Sequence, residues 1–227
     1  MSIWTRITDA LAALRRGEPL SAVFDRLRTP PERSVAFTIA VIALGAKMAK
    51  ADGRVTRNEV AAFRRVFTLD AADEAGAGRV FDLARQDVAG FDAYARKIAA
   101  MFGPGDKVLI DLMEGLFHIA TADGDFHPAE EAFLGEVAGI FGLDARCLAA
   151  LKARHVAADA ADPFAVLGVD PGTPLDQIRA AWRQAVIDSH PDRLAARGVP
   201  EEALRLAEDR LIAVNRAWEE ITRRLAA

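Results

Sequence analysis

The chain has 227 residues, of which 52% are hydrophobic and 27% charged, a composition typical of a folded globular protein rather than a disordered one. Its 29 basic and 33 acidic residues give a net charge of −4, so the overall charge does not favour a nucleic-acid partner. The single cysteine, Cys147, excludes an internal disulfide bond and any zinc site built from several thiolates.

The N-terminal segment, residues 1–30, is predicted to contain an amphipathic helix followed by a short second helix. It lacks the continuous apolar region and small-residue cleavage site of a secretory signal. An apolar stripe followed by two arginines allows peripheral contact with a membrane surface, but packing on the protein's own domain is the favoured interpretation. The stripe consists of Trp4, Ile7, Leu11 and Leu14, and the arginines are Arg15 and Arg16.

The strongest candidate for a membrane segment is the apolar run over residues 36–46. It is far shorter than the ~20 residues that a spanning helix needs, so it predicts a buried core helix. With neither a secretory signal nor a spanning segment, we expect a cytoplasmic protein.

Helical periodicity dominates the whole chain and predicts an all-α fold. Residues 31–154 are expected to form one helical domain and residues 162–227 a smaller one, with the small-residue segment 155–161 as a linker. Prolines and glycines divide the first domain into predicted helices at about 31–50, 56–66, 75–84, 92–101, 106–122, 128–141 and 144–154.

The first domain contains an imperfect internal repeat. The segment AKADGRVTRNEVAAF from Ala49 matches ATADGDFHPAEEAFL from Ala120. In each copy a helix ends at an Asp-Gly turn and a new helix begins with a glutamate in its first turn. The four carboxylates that this pattern could bring together as a divalent-cation site belong to Asp52, Glu59, Asp123 and Glu130.

The same residues also fit simple helix capping, which is the favoured interpretation. Thr56 and Glu59 form a Thr-x-x-Glu capping box, and Pro128 followed by Glu130 suits a helix N-terminus. His127 stands at the capping position of the second copy, where it is a cation ligand only under the metal hypothesis.

The paired Ala-Asp-Gly segments on a helical scaffold resemble the TerB-like domain of tellurite-resistance proteins, over about residues 31–154. The resemblance implies a helical bundle with acidic residues and a link to divalent ions, and it implies no catalysis. Cys147 has no histidine near it in sequence and is interpreted as a packing residue. We therefore expect no enzymatic activity and no cofactor other than such a cation.

The C-terminal part predicts three helices, the last two packed as an antiparallel pair through apolar stripes. Asp162 and Pro163 begin the first, short helix. Trp182 and Trp218 lie in the stripes and are interpreted as core residues. Between the two long helices stands His190-Pro191-Asp192, which is expected at an exposed tip because proline disfavours the α conformation of the residue before it.

This region closely resembles the J-domain of DnaJ-type co-chaperones. The matching segments are Leu167-Gly168-Val169, Trp182-Arg183, His190-Pro191-Asp192-Arg193 and Asn215-Arg216-Ala217-Trp218. The resemblance implies that the His-Pro-Asp loop and the basic face of the second helix dock on the ATPase domain of a DnaK-type heat-shock chaperone. Carried over, docking falls on His190, Pro191 and Asp192, with Arg179, Arg183 and Arg193 as electrostatic contacts.

A TerB-like region joined to a J-domain, with the segment LAARGVP over residues 194–200, is similar to the DjlA-like branch of these proteins. Two residues depart from the family pattern, since Asp188 replaces a basic or neutral polar residue and Ser189 replaces Tyr or His. Both residues leave the docking face of the second helix with less positive charge. Members of that branch usually begin with a membrane span, which this sequence lacks, so membrane anchoring is not expected.

The sequence therefore predicts a co-chaperone that stimulates a DnaK-type ATPase and directs it, through the TerB-like domain, to a client or target protein that the sequence does not identify. The alternative is a divalent-ion-binding stress sensor in which the J-domain is a degenerate docking module.

Overall fold

The computed structural model describes residues 32–51, 90–122, 124–156 and 161–226. All regular structure within these ranges is helical, which confirms the predicted all-α fold. The first unit contains α1 (Glu32–Ala51), α2 (Phe91–Phe102), α3 (Lys107–Ala120), α4 (Pro128–Ile140) and α5 (Ala145–His155). The second unit contains α6 (Pro163–Leu167), α7 (Leu175–Asp188), α8 (Pro191–Arg197), a 3-10 turn (Glu201–Ala203) and α9 (Arg205–Ala226).

Helix α1 is the buried core helix that the apolar run predicted. Its side chains are buried without interruption over residues 35–48, because α2, α3 and α4 all pack against it. A helix that is apolar on every side is stable only when it is enclosed in this way.

Helix α3 lies between the two units. Asp106 caps its N-terminus by accepting a hydrogen bond from the Val108 backbone N–H at 3.0 Å. The helix contacts α1, α2, α4 and α5 of the first unit and also α8 and α9 of the second. The main apolar core therefore extends into the second unit, where it includes Leu194, Val199, Ala203, Leu206 and Ala207.

The second unit also has an apolar cluster of its own, formed where α7 and α6 pack on α9. Trp182 and Trp218 stack there with their ring centroids 5.0 Å apart. The indole N–H of Trp182 donates to Asn215 Oδ1 at 2.9 Å, so the polar edge of the ring is satisfied. Both tryptophans are packing residues, as the sequence predicted.

The connection between α7 and α9 differs from the predicted loop. Pro191 to Arg197 form a short helix, because His190 caps it, Pro191 fits its first position and Gly198 ends it with a φ of 93°. The second unit thus has four α-helices among its described residues rather than three. Residues 1–31, 52–89 and 157–160 lie outside the described residues, and the domain boundaries near 31, 155 and 162 stay predictions.

Candidate functional site

The His190-Pro191-Asp192 segment lies at the surface where α7 gives way to α8. Helix α7 ends at Asp188, and its C-cap is Ser189, whose buried hydroxyl donates to the Ala185 carbonyl oxygen at 2.7 Å. His190 then caps α8, with its Nδ1 accepting from the Asp192 backbone N–H at 3.2 Å. The side chains of His190 and Asp192 remain 60% and 91% exposed. Two helix caps thus fix the backbone of a tip whose side chains face solvent.

His127 occupies an equivalent local position in the first unit. It also precedes a proline, caps α4 and accepts through Nδ1 from a backbone N–H, that of Ala129, at 3.1 Å. Its cap is reciprocal, because Glu130 Oε2 accepts from the His127 backbone N–H at 2.9 Å. The predicted capping role of His127 is confirmed, and it provides a comparison for His190 at a site outside the candidate loop.

The three arginines assigned to docking are all exposed. Arg179 and Arg183 are four residues apart on α7 and therefore lie on one face of the helix. The Arg179 guanidinium lies 5.8 Å from the centroid of the Trp218 ring, a cation–π distance. Arg193 lies in the first turn of α8. Arg179 and Arg183 thus add exposed positive charge along α7, and Arg193 adds it one residue after Asp192.

Asp188, which departs from the family pattern, contacts the first unit. Lys107 Nζ donates to both of its carboxylate oxygens at 2.6 Å, and Gln184 donates to Oδ2 at 3.0 Å. Partial burial alone would raise the pKa of Asp188, but the bonds from Lys107 and Gln184 lower it below its ordinary value. The pairing was not predictable, because the two residues are 81 positions apart.

A buried ionic cluster lies beside this contact and joins the two units. Asp111, on α3, is 1% exposed. Its Oδ2 accepts from Arg197 Nε and its Oδ1 from Arg210 Nη2, both at 2.7 Å. Both arginines belong to the second unit, so this carboxylate of the first unit is neutralised entirely across the interface.

Glu114, one turn further along α3, is the second acid of the cluster. Its Oε1 accepts from Arg154 Nε at 2.9 Å and lies 3.0 Å from Arg210 Nε, and its Oε2 pairs with His155. Burial alone would raise the pKa of Glu114, but Arg154, Arg210 and His155 hold it well below its ordinary value. The sequence feature that could have revealed this cluster is the pair of carboxylates three residues apart in an apolar helix, because acidic side chains are rarely buried unless they are paired.

The predicted divalent-cation site is described only at Glu130. That carboxylate is buried and completes the capping box with His127, as the favoured interpretation expected. Asp52, Glu59 and Asp123 lie outside the described residues, so the convergence of the four carboxylates stays a prediction. Within the part of the chain that the structure describes, no three His, Cys, Asp or Glu side chains are grouped to hold a metal.

Comparison with known proteins adds two findings. The family model for tellurite resistance protein TerB matches residues 38–153. The chain is also similar to co-chaperone protein DjlA of Photobacterium profundum, with 25% identity over 84% of this chain and 78% of the relative. The DjlA of Escherichia coli is 24% identical over 96% of this chain and 97% of its own length. No solved structure matches the chain.

The expectation of a cytoplasmic location is wrong, because the DjlA co-chaperones are anchored in the inner membrane. The expectation rested on the lack of a spanning helix, but proteins also bind membranes through interfacial helices and lipid anchors. In residues 32–51, 90–122, 124–156 and 161–226, no helix has the length and apolar character needed to cross a bilayer. The amphipathic stripe from Trp4 to Leu14 lies outside these ranges.

Proposed function

This chain belongs to the TerB family, and from that premise and its likeness to DjlA we propose that it is a co-chaperone that stimulates a DnaK-type ATPase through His190, Pro191 and Asp192. The DjlA relatives support a co-chaperone role and a chaperone partner of the DnaK type.

The observation that carries the proposal is the exposed but conformationally fixed tip. Asp192 is 91% exposed, although its own backbone N–H is tied to the His190 ring. An exposed carboxylate on a fixed backbone is suited to charge-assisted hydrogen bonds with a partner arginine, and little conformational entropy is lost on binding. Arg193 in the first turn of α8 and Arg179 and Arg183 along α7 are exposed, and rim charges of this kind steer an acidic partner.

The proposed role is binding rather than bond chemistry. Burial raises the pKa of the Cys147 thiol, so the thiolate that a nucleophile requires is disfavoured. The chain then acts by changing the rate of ATP hydrolysis in its partner. The TerB-like unit binds the target protein. The contact between the TerB-like unit and the second unit then sets the distance between the bound target and the docking loop.

The test is ATP hydrolysis by a purified DnaK-type chaperone in the presence of the full chain. His190→Gln is expected to abolish most of the stimulation, and Asp192→Asn to reduce it, because it removes the charge but keeps the shape. The matched control is His127→Gln. Both variants remove a histidine ring that caps a helix whose first residue is proline. Each should therefore cost about 1 kcal/mol of stability.

Thermal melts of the variants separate capping from docking. We expect His190→Gln and His127→Gln to melt at similar temperatures while only the first loses stimulation. Full stimulation by His190→Gln, or no stimulation by the wild-type chain, would overturn the proposal.

A further inference from the structure

The first unit places a basic side chain beside the candidate loop. Lys107 begins α3, and its Nζ donates to both carboxylate oxygens of Asp188, two residues before His190. The Lys107 side chain is 50% exposed, whereas that of Asp188 is 24% exposed. At this edge of the molecule the lysine is therefore the more accessible of the two charges.

The position of Lys107 is set by the contacts beside it rather than by one flexible side chain. Arg197 donates through Nε to Asp111 at 2.7 Å and through Nη2 to the Asp188 carbonyl oxygen at 3.0 Å. Leu194, on the same short helix, is fully buried in the core of the first unit. The end of α7 is thus held against the start of α3 by buried polar and apolar contacts.

The charge of this edge matters for any acidic partner. An unpaired Asp188 would put a negative charge on the helix that also carries Arg179 and Arg183. A partner surface that complements those arginines is acidic, so the Asp188 carboxylate would repel it. With Lys107 bound, the pair has no net charge and the basic character of the surface continues past Asp188.

We propose that Lys107 neutralises Asp188 and so keeps the docking face of the second unit basic, and that the surface offered to an acidic face of a DnaK-type ATPase therefore depends on both units. This inference rests on the function proposed above. It also accounts for Asp188, since a carboxylate at this position joins the units without making the face acidic.

The test measures ATPase stimulation by four full-length proteins that differ in the charge of this pair. The pair is neutral in the wild type and in Lys107→Ala/Asp188→Asn, negative in Lys107→Ala and positive in Asp188→Asn. We expect Lys107→Ala to raise the half-maximal concentration about twofold to fivefold, the range for a single exposed charge. The double variant should return it to the wild-type value, and Asp188→Asn should lower it below the wild-type value.

Three further measurements make the outcome specific. The defect of Lys107→Ala should shrink at high salt, because a rim charge is screened. Lys152→Ala is the matched control, since Lys152 is similarly exposed and pairs with Glu131 inside the first unit; it should not change stimulation. Melts of each variant verify folding, and if Lys107→Ala is unfolded, the comparison of Asp188→Asn with the wild type decides.

The possible results separate this inference from the function on which it rests. Equal losses in Lys107→Ala, Asp188→Asn and the double variant would mean that the pair only fixes orientation, and would overturn the charge role. No change in Lys107→Ala while His190→Gln is inactive would overturn this inference alone. Insensitivity to His190→Gln would overturn the proposed function and this inference with it.

Discussion

Asp111→Asn is the substitution that most sharply tests the contact between the two units. The asparagine has nearly the same shape but lacks the charge that neutralises Arg197 and Arg210. Asp111 is 1% exposed and accepts two bonds of 2.7 Å, so the loss occurs in a desolvated site. Breaking a buried ion pair from one side costs about 3–5 kcal/mol.

The expected loss for this variant lies near the lower end of that range, at about 3 kcal/mol. Arg210 keeps its contact with Glu114, and the asparagine oxygen can still accept one hydrogen bond. In a protein of this size such a loss lowers the melting temperature by about 6–12 °C. Glu131→Gln, which breaks the exposed pair with Lys152, is the control and should cost no more than about 0.5 kcal/mol.

Guanidinium unfolding followed by fluorescence shows whether the loss crosses the interface. In a Trp4→Phe background the remaining tryptophans, Trp182 and Trp218, report only the second unit. Asp111 belongs to the first unit, so a shift of the fluorescence midpoint means that the substitution destabilises the second unit across the interface. A loss below about 1 kcal/mol, the range of exposed pairs, or a fluorescence midpoint equal to the wild type, would refute the role assigned to the buried cluster.

Two other predictions concern α3. The pKa of Glu114 lies well below its ordinary value of 4.5 in the folded protein, so its contribution to stability is present above about pH 4.5 and is lost as the pH falls through the folded-state pKa. The unfolding free energies of the wild type and Glu114→Gln, measured from pH 7 downward, should therefore converge. A constant difference between the two would contradict this prediction. Gly115→Ala should keep or slightly raise stability in urea, because the added Cβ would lie at ordinary contact distances, 3.5 Å from Val41 Cγ1 and 3.7 Å from Leu206 Cδ1. Gly115→Leu should cost about 1–3 kcal/mol of stability by overpacking. Equal stability of the two variants would show that α3, α1 and α9 are not closely packed at this point.

The sequence was most informative where local chemistry decides the structure. The all-α class, the buried helix around residues 36–46 and the exposed His190 tip all follow from periodicity, proline geometry and capping residues close together in the chain. His127 was placed correctly at a helix N-terminus for the same reason. These features depend on interactions between residues only a few positions apart.

Contacts between distant residues were not predictable from these patterns. The sequence treats α3 as a helix of the first unit alone, because periodicity does not show which partner covers each face. Asp111 and Glu114 find partners up to 99 positions away. Asp188 looked like a weakness in a basic helix because its partner, Lys107, belongs to the other unit. Periodicity predicts a loop where α8 lies, because the helix is short, although His190, Pro191 and Gly198 are typical of its start and end.

We expect a DnaK-type chaperone to contact the exposed tip while the buried contact between the two units stays closed. NMR titration of the isotope-labelled full chain with the nucleotide-bound chaperone tests this most directly. We expect resonances of Arg179, Arg183 and residues 190–193 to shift or broaden, with little change at Asp111 or Arg210. Changes confined to α2 and α4, or none at residues 190–193, would contradict the account.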